Sequence, residues 1–231
     1  MNHATLASPP RRLRADAARN QQRIIAAARE LFADHGLEIT LDDVAERAGV
    51  GVGTVYRRFA NKKELIGKVF DQSLSDFADA ADTACRNPDP WFGLVELFEY
   101  ACRHIATNRG FSEIVLELED DETDRFAIVR DRIKPAVTSL CARARDAGVL
   151  AEGIEPPDFF ALVHMVDGVA EFARPVNPEV WQRYMAIALN GVRADGTPRR
   201  DLAVPPLSDE EFEQAKQHLS CSGRRKIAEP R

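Results

Sequence analysis

Between residues 40 and 65 the sequence gathers groups that suit an anionic surface. Thr54 and Tyr56 lie two positions apart in a short stretch whose other side, Val55 and Phe59, is apolar. On a helix this turns two hydroxyls outward, within reach of phosphate oxygens or base edges, and the Thr54 methyl suits a thymine methyl. Val52 and Gly53 precede them and offer only apolar or close-backbone contact. Arg57 and Arg58 suit phosphate or the paired acceptors of guanine. Lys62 and Lys63 fall in the first turn of the next helix, where the helix dipole favours acids. A phosphate at that helix end would reverse the penalty, because N–H groups and lysine would converge on it.

These groups need elements to hold them. Ile24, Ala28, Leu31 and Phe32 share one face of a helix expected over 16–35, with Gly36 after its end. Thr40 reads as an N-cap, with Asp43 three residues on as a weak capping box. The short helix that follows buries Leu41, Val44, Ala45 and Ala48 and ends at Gly49. A third helix is expected over 52–59 and a fourth from Asn61, with Glu64 completing its cap, to about residue 84. Two helices of about eight residues joined by a turn with Gly49 and Gly51 have the spacing of a helix-turn-helix, whose second helix enters the major groove.

Charge supports an anionic partner for this part alone. The chain of 231 residues carries a net charge of -6, made of +4 over 1–70, -10 over 71–194 and zero over 195–231. At 45 % apolar and 29 % charged it is an ordinary globular composition. No apolar run reaches the roughly 18–20 residues of a membrane span, and the start of the chain lacks the apolar stretch of a secretory signal. Cys85, Cys102, Cys141 and Cys221 form no CxxC pair and no metal-ligand spacing with histidine, so no metal is expected and a reducing cytoplasm is the default. No nucleophile elbow, phosphate-cradling loop, HExxH or dinucleotide fingerprint is present, so neither an enzyme nor a cofactor is expected.

After residue 71 the periodicity is again helical. Helices are expected over 89–108, with Asp89 as cap and Pro90 in the first turn, and over 112–118, with Gly110 as a stop between them. A long helix over 123–147 carries Pro135, which should kink it and open a space beside it. Two more run over 158–173 and 178–193, and a small capped one from Ser208 to about residue 219. Glu113, Glu117 and the acids at 119–124 could attract a cation but read as a solvated face, and His104 and His164 could touch a ligand but read as surface or capped histidines.

The residues Ile24–Phe32 through Gly36, Thr40–Val50, and above all Gly53-Thr54-Val55-Tyr56-Arg57-Arg58-Phe59 followed by Asn61-Lys62-Lys63-Glu64-Leu65 resemble the TetR family of transcriptional regulators. Gly51 departs from the pattern, standing where the family often has a capping serine. The resemblance implies an all-α protein: a flexible basic arm over 1–15, a DNA-binding domain over 16–70 with its helix-turn-helix at about 40–59, a helical regulatory and dimerisation domain over 71–194, and a tail over 195–231. It implies DNA contacts at Thr40, Thr54, Tyr56, Arg58 and Lys62, joined by Val52, Gly53 and Arg57 from the helix reading. Arg11, Arg12 and Arg14 would reach a minor groove.

Residues 142–150 and Pro157-Asp158-Phe159-Phe160 resemble that family's regulatory domain. This implies a small-molecule effector, with Trp91, Phe98, Cys102, Phe126, Arg130 and Met165 as candidate lining. It also implies a homodimer held by two stripes: Trp181, Tyr184, Met185, Ala188 and Val192, and Phe159, Val163, Val166 and Ala170. The expected function is a homodimeric repressor released from a palindromic double-stranded operator by its effector, without membrane or cofactor. The alternative is an architectural or ligand-independent DNA-binding regulator with a purely structural second domain.

Overall fold

A computed structural model describes the backbone of residues 11–117 and 127–228 and the side chains of 18–113 and 127–218. The expected arm contacts Arg11, Arg12 and Arg14, the candidate Phe126, Cys221 and the acidic run at 119–124 lie outside the described side chains. The described chain is all-α: α1 (Arg11–His35), α2 (Leu41–Ala48), α3 (Val52–Arg58), α4 (Lys62–Arg86), α5 (Pro90–Thr107), α6 (Arg109–Glu117), α7 (Lys134–Asp146), α8 (Pro156–Ala173), α9 (Trp181–Val192) and α10 (Asp209–Ala228). Among the described residues the β structure is one isolated antiparallel bridge, Leu150 with Arg193. Two compact units form: the chain up to Ser73 with Arg109–Ile114, and Leu74–Asn108 with the chain from Val115.

In the first unit Ile24, Ala28 and Phe32 of α1 meet Val44 and Ala45 of α2, Val55 of α3, Phe59, and Leu65, Val69 and Phe70 of α4, all buried. Phe70 sits between Phe32 and Phe111, with ring centroids 5.9 and 6.0 Å away. Offset and tilted aromatic pairs of this kind add to simple area burial. Gly110 is a correction to the sequence reading. It lies inside α6 rather than stopping a helix, and a Cβ there would come 2.8 Å from the Phe32 carbonyl oxygen. Its lack of a side chain lets α6 lie against α1. Gly36 has φ +70°, and the Glu113 carboxylate lies where its Cβ would be, accepting the Leu37 N–H at 2.5 Å.

In the second unit α5, α7 and α8 pack together, with α9 on α8. The kink expected at Pro135 is a π-helical turn, Val129–Ile133, immediately before α7. The Lys134 N–H donates to Val129 O, one residue further back than an α-helix allows. Widening the helix there makes room for the proline ring, which would otherwise strike the preceding turn. The two stripes assigned to a dimer interface are corrected: Trp181, Met185 and Val192, and Phe159, Val163, Val166 and Ala170, are buried within the single chain, while Tyr184 and Ala188 are half-buried. Helical spacing reveals that a face is covered but not by which chain. The tail helix is also longer than expected. It reaches Ala228 and packs on α8, with Phe212 against Phe172 at 5.2 Å and Ala215 buried.

Candidate nucleic-acid interface and internal cavity

The local chemistry of residues 40–65 sets the shape of the first unit's candidate surface. Thr40 and Asp43 close a full capping box: the Asp43 N–H donates to the Thr40 hydroxyl at 3.1 Å, and the Thr40 N–H donates to the Asp43 carboxylate at 2.7 Å. The Thr40 hydroxyl also donates to that carboxylate at 2.6 Å. These bonds, with the charge of Lys62 as a smaller contribution, hold the Asp43 carboxyl below the usual range.

Gly49 ends α2 in the left-handed region, φ +61°, and its N–H reaches back to the Ala45 and Glu46 carbonyls. A residue with a Cβ would be strained there. Arg23 of α1 donates to the Gly49 carbonyl at 3.2 Å, tying the turn to the first helix.

That frame leaves one side of α3 bare. Val55 and the following Phe59 are fully buried and anchor the helix, while Tyr56 is 54 % exposed and Val52 42 % exposed. Gly53 has open space around its Cβ position. Thr54 is half-buried and accepts a long bond from Arg57 at 3.4 Å; Arg58 donates to Gln21 of α1. At α4 the Asn61 side chain accepts the Glu64 N–H at 2.9 Å and Glu64 accepts the Ala60 N–H at 2.7 Å, so the cap holds Lys62 and Lys63 at the helix start. Val52, Gly53, Tyr56, Arg57 and Arg58 are exposed on α3, Arg58 turning toward α1, and Lys62 is half-buried at the start of α4. The Thr40 hydroxyl is engaged in its own cap.

The second unit contains a cavity of about 890 Å³, counted with its open mouth. Phe77 of α4, Phe98, Ala101 and Ile105 of α5, and Phe159 and Phe160 of α8 supply much of its wall. Phe98 meets Phe159 edge to face at 5.8 Å. The π-helical turn closes another side with Val129 and Ile133, and Val137 continues that wall on α7. Among the described residues its polar lining is Lys134 and His164.

Of the residues expected here from sequence, Phe98 lines the cavity and four others do not. Trp91 is buried beneath the Arg193 guanidinium, which lies 4.4 Å over its ring. Cys102 is buried on another side of α5, where desolvation raises its thiol far above the usual range. Arg130 points outward to Asp131 at 2.8 Å. Met165 is 66 % exposed. Burial likewise pushes the Cys141 thiol up to about 11, so both thiols stay protonated and unreactive at neutral pH. His104 stacks on Tyr100 at 5.1 Å and is not part of the lining. Sequence reasoning missed Phe77, Phe159 and Phe160 as wall residues; the adjacent pair Phe159-Phe160 was their only signal.

Residues 24–69 match the family described as "Bacterial regulatory proteins, tetR family", and residues 89–194 match "Transcriptional regulator SbtR-like, C-terminal domain". The chain belongs to the TetR family. The first match contains the capping box, the turn and all of α3; the second contains every cavity-lining residue beyond α4. An HTH-type transcriptional regulator of Staphylococcus aureus is 39 % identical over 66 residues, 28 % of this chain and 36 % of that protein. The chain thus spans about a third of the length of the curated relatives it matches. Among solved structures, the TetR regulator SCO0520 of Streptomyces coelicolor aligns with a TM-score of 0.52 at 24 % identity, covering 76 % of this chain and 99 % of that one. FadR of Bacillus subtilis, solved with stearoyl-CoA, aligns with a TM-score of 0.54 at 16 % identity, covering 74 % and 98 %. Both share the family fold. Among the described residues no group of acidic, histidine and cysteine side chains is placed to hold a metal ion, and no helix is long and apolar enough to cross a membrane.

Proposed function

We propose that the protein is a DNA-binding transcriptional regulator, a homodimeric repressor that leaves a palindromic operator when a small apolar ligand enters its second unit. The observation that carries this reading is the pairing of a bare, anchored α3 with an internal apolar cavity in one chain. Tyr56, Val52 and Gly53 offer contact to base edges, and Arg57, Arg58 and Lys62 offer contact to phosphates. In a dimer two such helices would sit about 34–36 Å apart, one turn of the duplex. Large apolar side chains left exposed on α8 and α9, Met165 and Ile187, supply surface for the second copy. The cavity favours ligand control over a purely structural second unit, which would need no void.

The chain offers a route for control. Helix α4 is continuous from Lys62 to Arg86, so the helix that supplies Leu74 and Phe77 to the cavity wall begins at the candidate phosphate contacts. A ligand that prefers the cavity shape of the DNA-free state lowers operator affinity by its differential affinity for the two states. Capture of genomic fragments, including the region upstream of the chain's own coding sequence, followed by titration of the captured site, tests the reading. A twofold-symmetric site bound well above random DNA is expected. Uniform binding to all fragments would refute the operator assignment.

A further inference from the structure

Resting on the reading of the second unit as a ligand receiver, we propose that the ligand is an acid: an apolar body carrying one anionic head, with the head held by Lys134. Among the described residues the cavity wall is made of aliphatic and phenyl groups, with Lys134 and His164 as its polar members and no carboxylate. A cationic ligand would have to leave its charge unpaired there, which is costly. A strongly polar ligand would lose its hydrogen bonds to water without replacement. The body is therefore apolar, and the remaining question is what meets the two polar groups in the lining.

Lys134 answers it. The segment from Arg130 to Lys134 carries three cations, and the first two are neutralised within the chain. Arg130 pairs with Asp131 at 2.8 Å, and Arg132 pairs with Asp79 at 2.7 Å and with Asp82. Among the described residues the Lys134 ammonium has no such partner, and Lys134 is the one of the three residues that belongs to the cavity lining. The π-helical turn sets this pattern. It directs Val129 and Ile133 inward, leaves Arg130 and Asp131 outside, and brings Lys134 round to the exposed edge of the lining. His164, half-buried on α8, supplies a second hydrogen-bonding group to the same lining. An ammonium at the edge and phenyl rings inside match an amphipathic monoanion, with its carboxylate near solvent and its body in the interior.

Calorimetric titration of the full chain with decanoate, decanol and decyltrimethylammonium tests this, the two ions below their micelle concentrations and decanol below its solubility limit. These probes share one apolar body and differ in the charge of the head. Decanoate should bind about tenfold more tightly than decanol, the size of one charge-assisted hydrogen bond, and the cation most weakly. Lys134→Gln should bring decanoate down to the affinity of decanol and leave decanol unchanged, while Lys134→Arg should keep the preference. Lys134 is exposed, so the substitutions leave the fold intact, and unchanged thermal melting of each variant verifies this. A preference that survives Lys134→Gln overturns the proposal. So does equal or tighter binding of decanol or the cation, or no binding by any probe. Operator titration with decanoate present is read separately. A Lys134-dependent preference for the acid without DNA release would uphold the ligand class and refute ligand control of the operator.

Discussion

The first unit holds its candidate chemistry on the outside of a packed core, whereas the second holds its own on the inside of an incompletely packed one. In the first, Phe32, Phe70 and Phe111 fill the centre so that α3 can stand with Tyr56 and Val52 uncovered. In the second, Phe77, Phe98 and Phe159 stand around a void. The same residue type serves rigidity in one unit and space in the other. A reading surface must keep its side chains in register with a fixed duplex, which rewards close packing beneath it. A receiving cavity must change shape with its contents, which requires that the packing be incomplete.

The difference should appear first in stability. Phe70→Ala removes a fully buried ring between two others and should cost about 3–5 kcal/mol in denaturant unfolding. Phe98→Ala should lie toward the lower end of that same range of about 3–5 kcal/mol, because part of its surface already borders empty space. Equal losses would mean that the second core is as tightly packed as the first. Next in size is the reading surface. Tyr56→Ala should weaken operator binding by about 1–3 kcal/mol while leaving unfolding unchanged, since its ring is exposed. Lys62→Ala should weaken all DNA about equally and lower the salt slope by about 1. A drop in stability in the Tyr56 variant would place that side chain in the core and blur the contrast.

The smallest effect concerns pH. His104 is pushed below the usual histidine range by burial, with Asp76 opposing. Its folded-state value is the lower one, so its contribution to stability is present above the unfolded value of about 6.5 and is lost as pH falls through the folded value. Melting temperatures of wild type and His104→Phe should therefore diverge on acidification, the wild type falling more steeply below about pH 6.5. Parallel curves would remove His104 from the acid response.

The two units also differ in how much their sequence discloses. The cap at Thr40 and Asp43, the turn at Gly49, and the anchors Val55 and Phe59 are local signals within one contiguous stretch, and each acts on its nearest neighbours. The cavity is assembled from α4, α5, α7, α8 and the π-helical turn, and no local pattern marks a space that five segments fail to fill. Met165 and Trp91 show the limit. Both have residue types that suit a pocket, yet one faces solvent and the other lies under Arg193. Gly110 was misread because a glycine that ends a helix and a glycine that lets two helices touch look alike in sequence.

The π-helical turn at Val129–Ile133 amounts to one residue too many for a regular helix. Each residue of an α-helix advances the chain by about 100° around its axis. In this turn that extra residue is absorbed as a local widening, so the helix on either side keeps its register. A chain shortened by one position here would close as a regular helix and would lose the room that the widened turn makes for the Pro135 ring. The turn is thus a spare position in the chain, one whose length could change without re-registering α7.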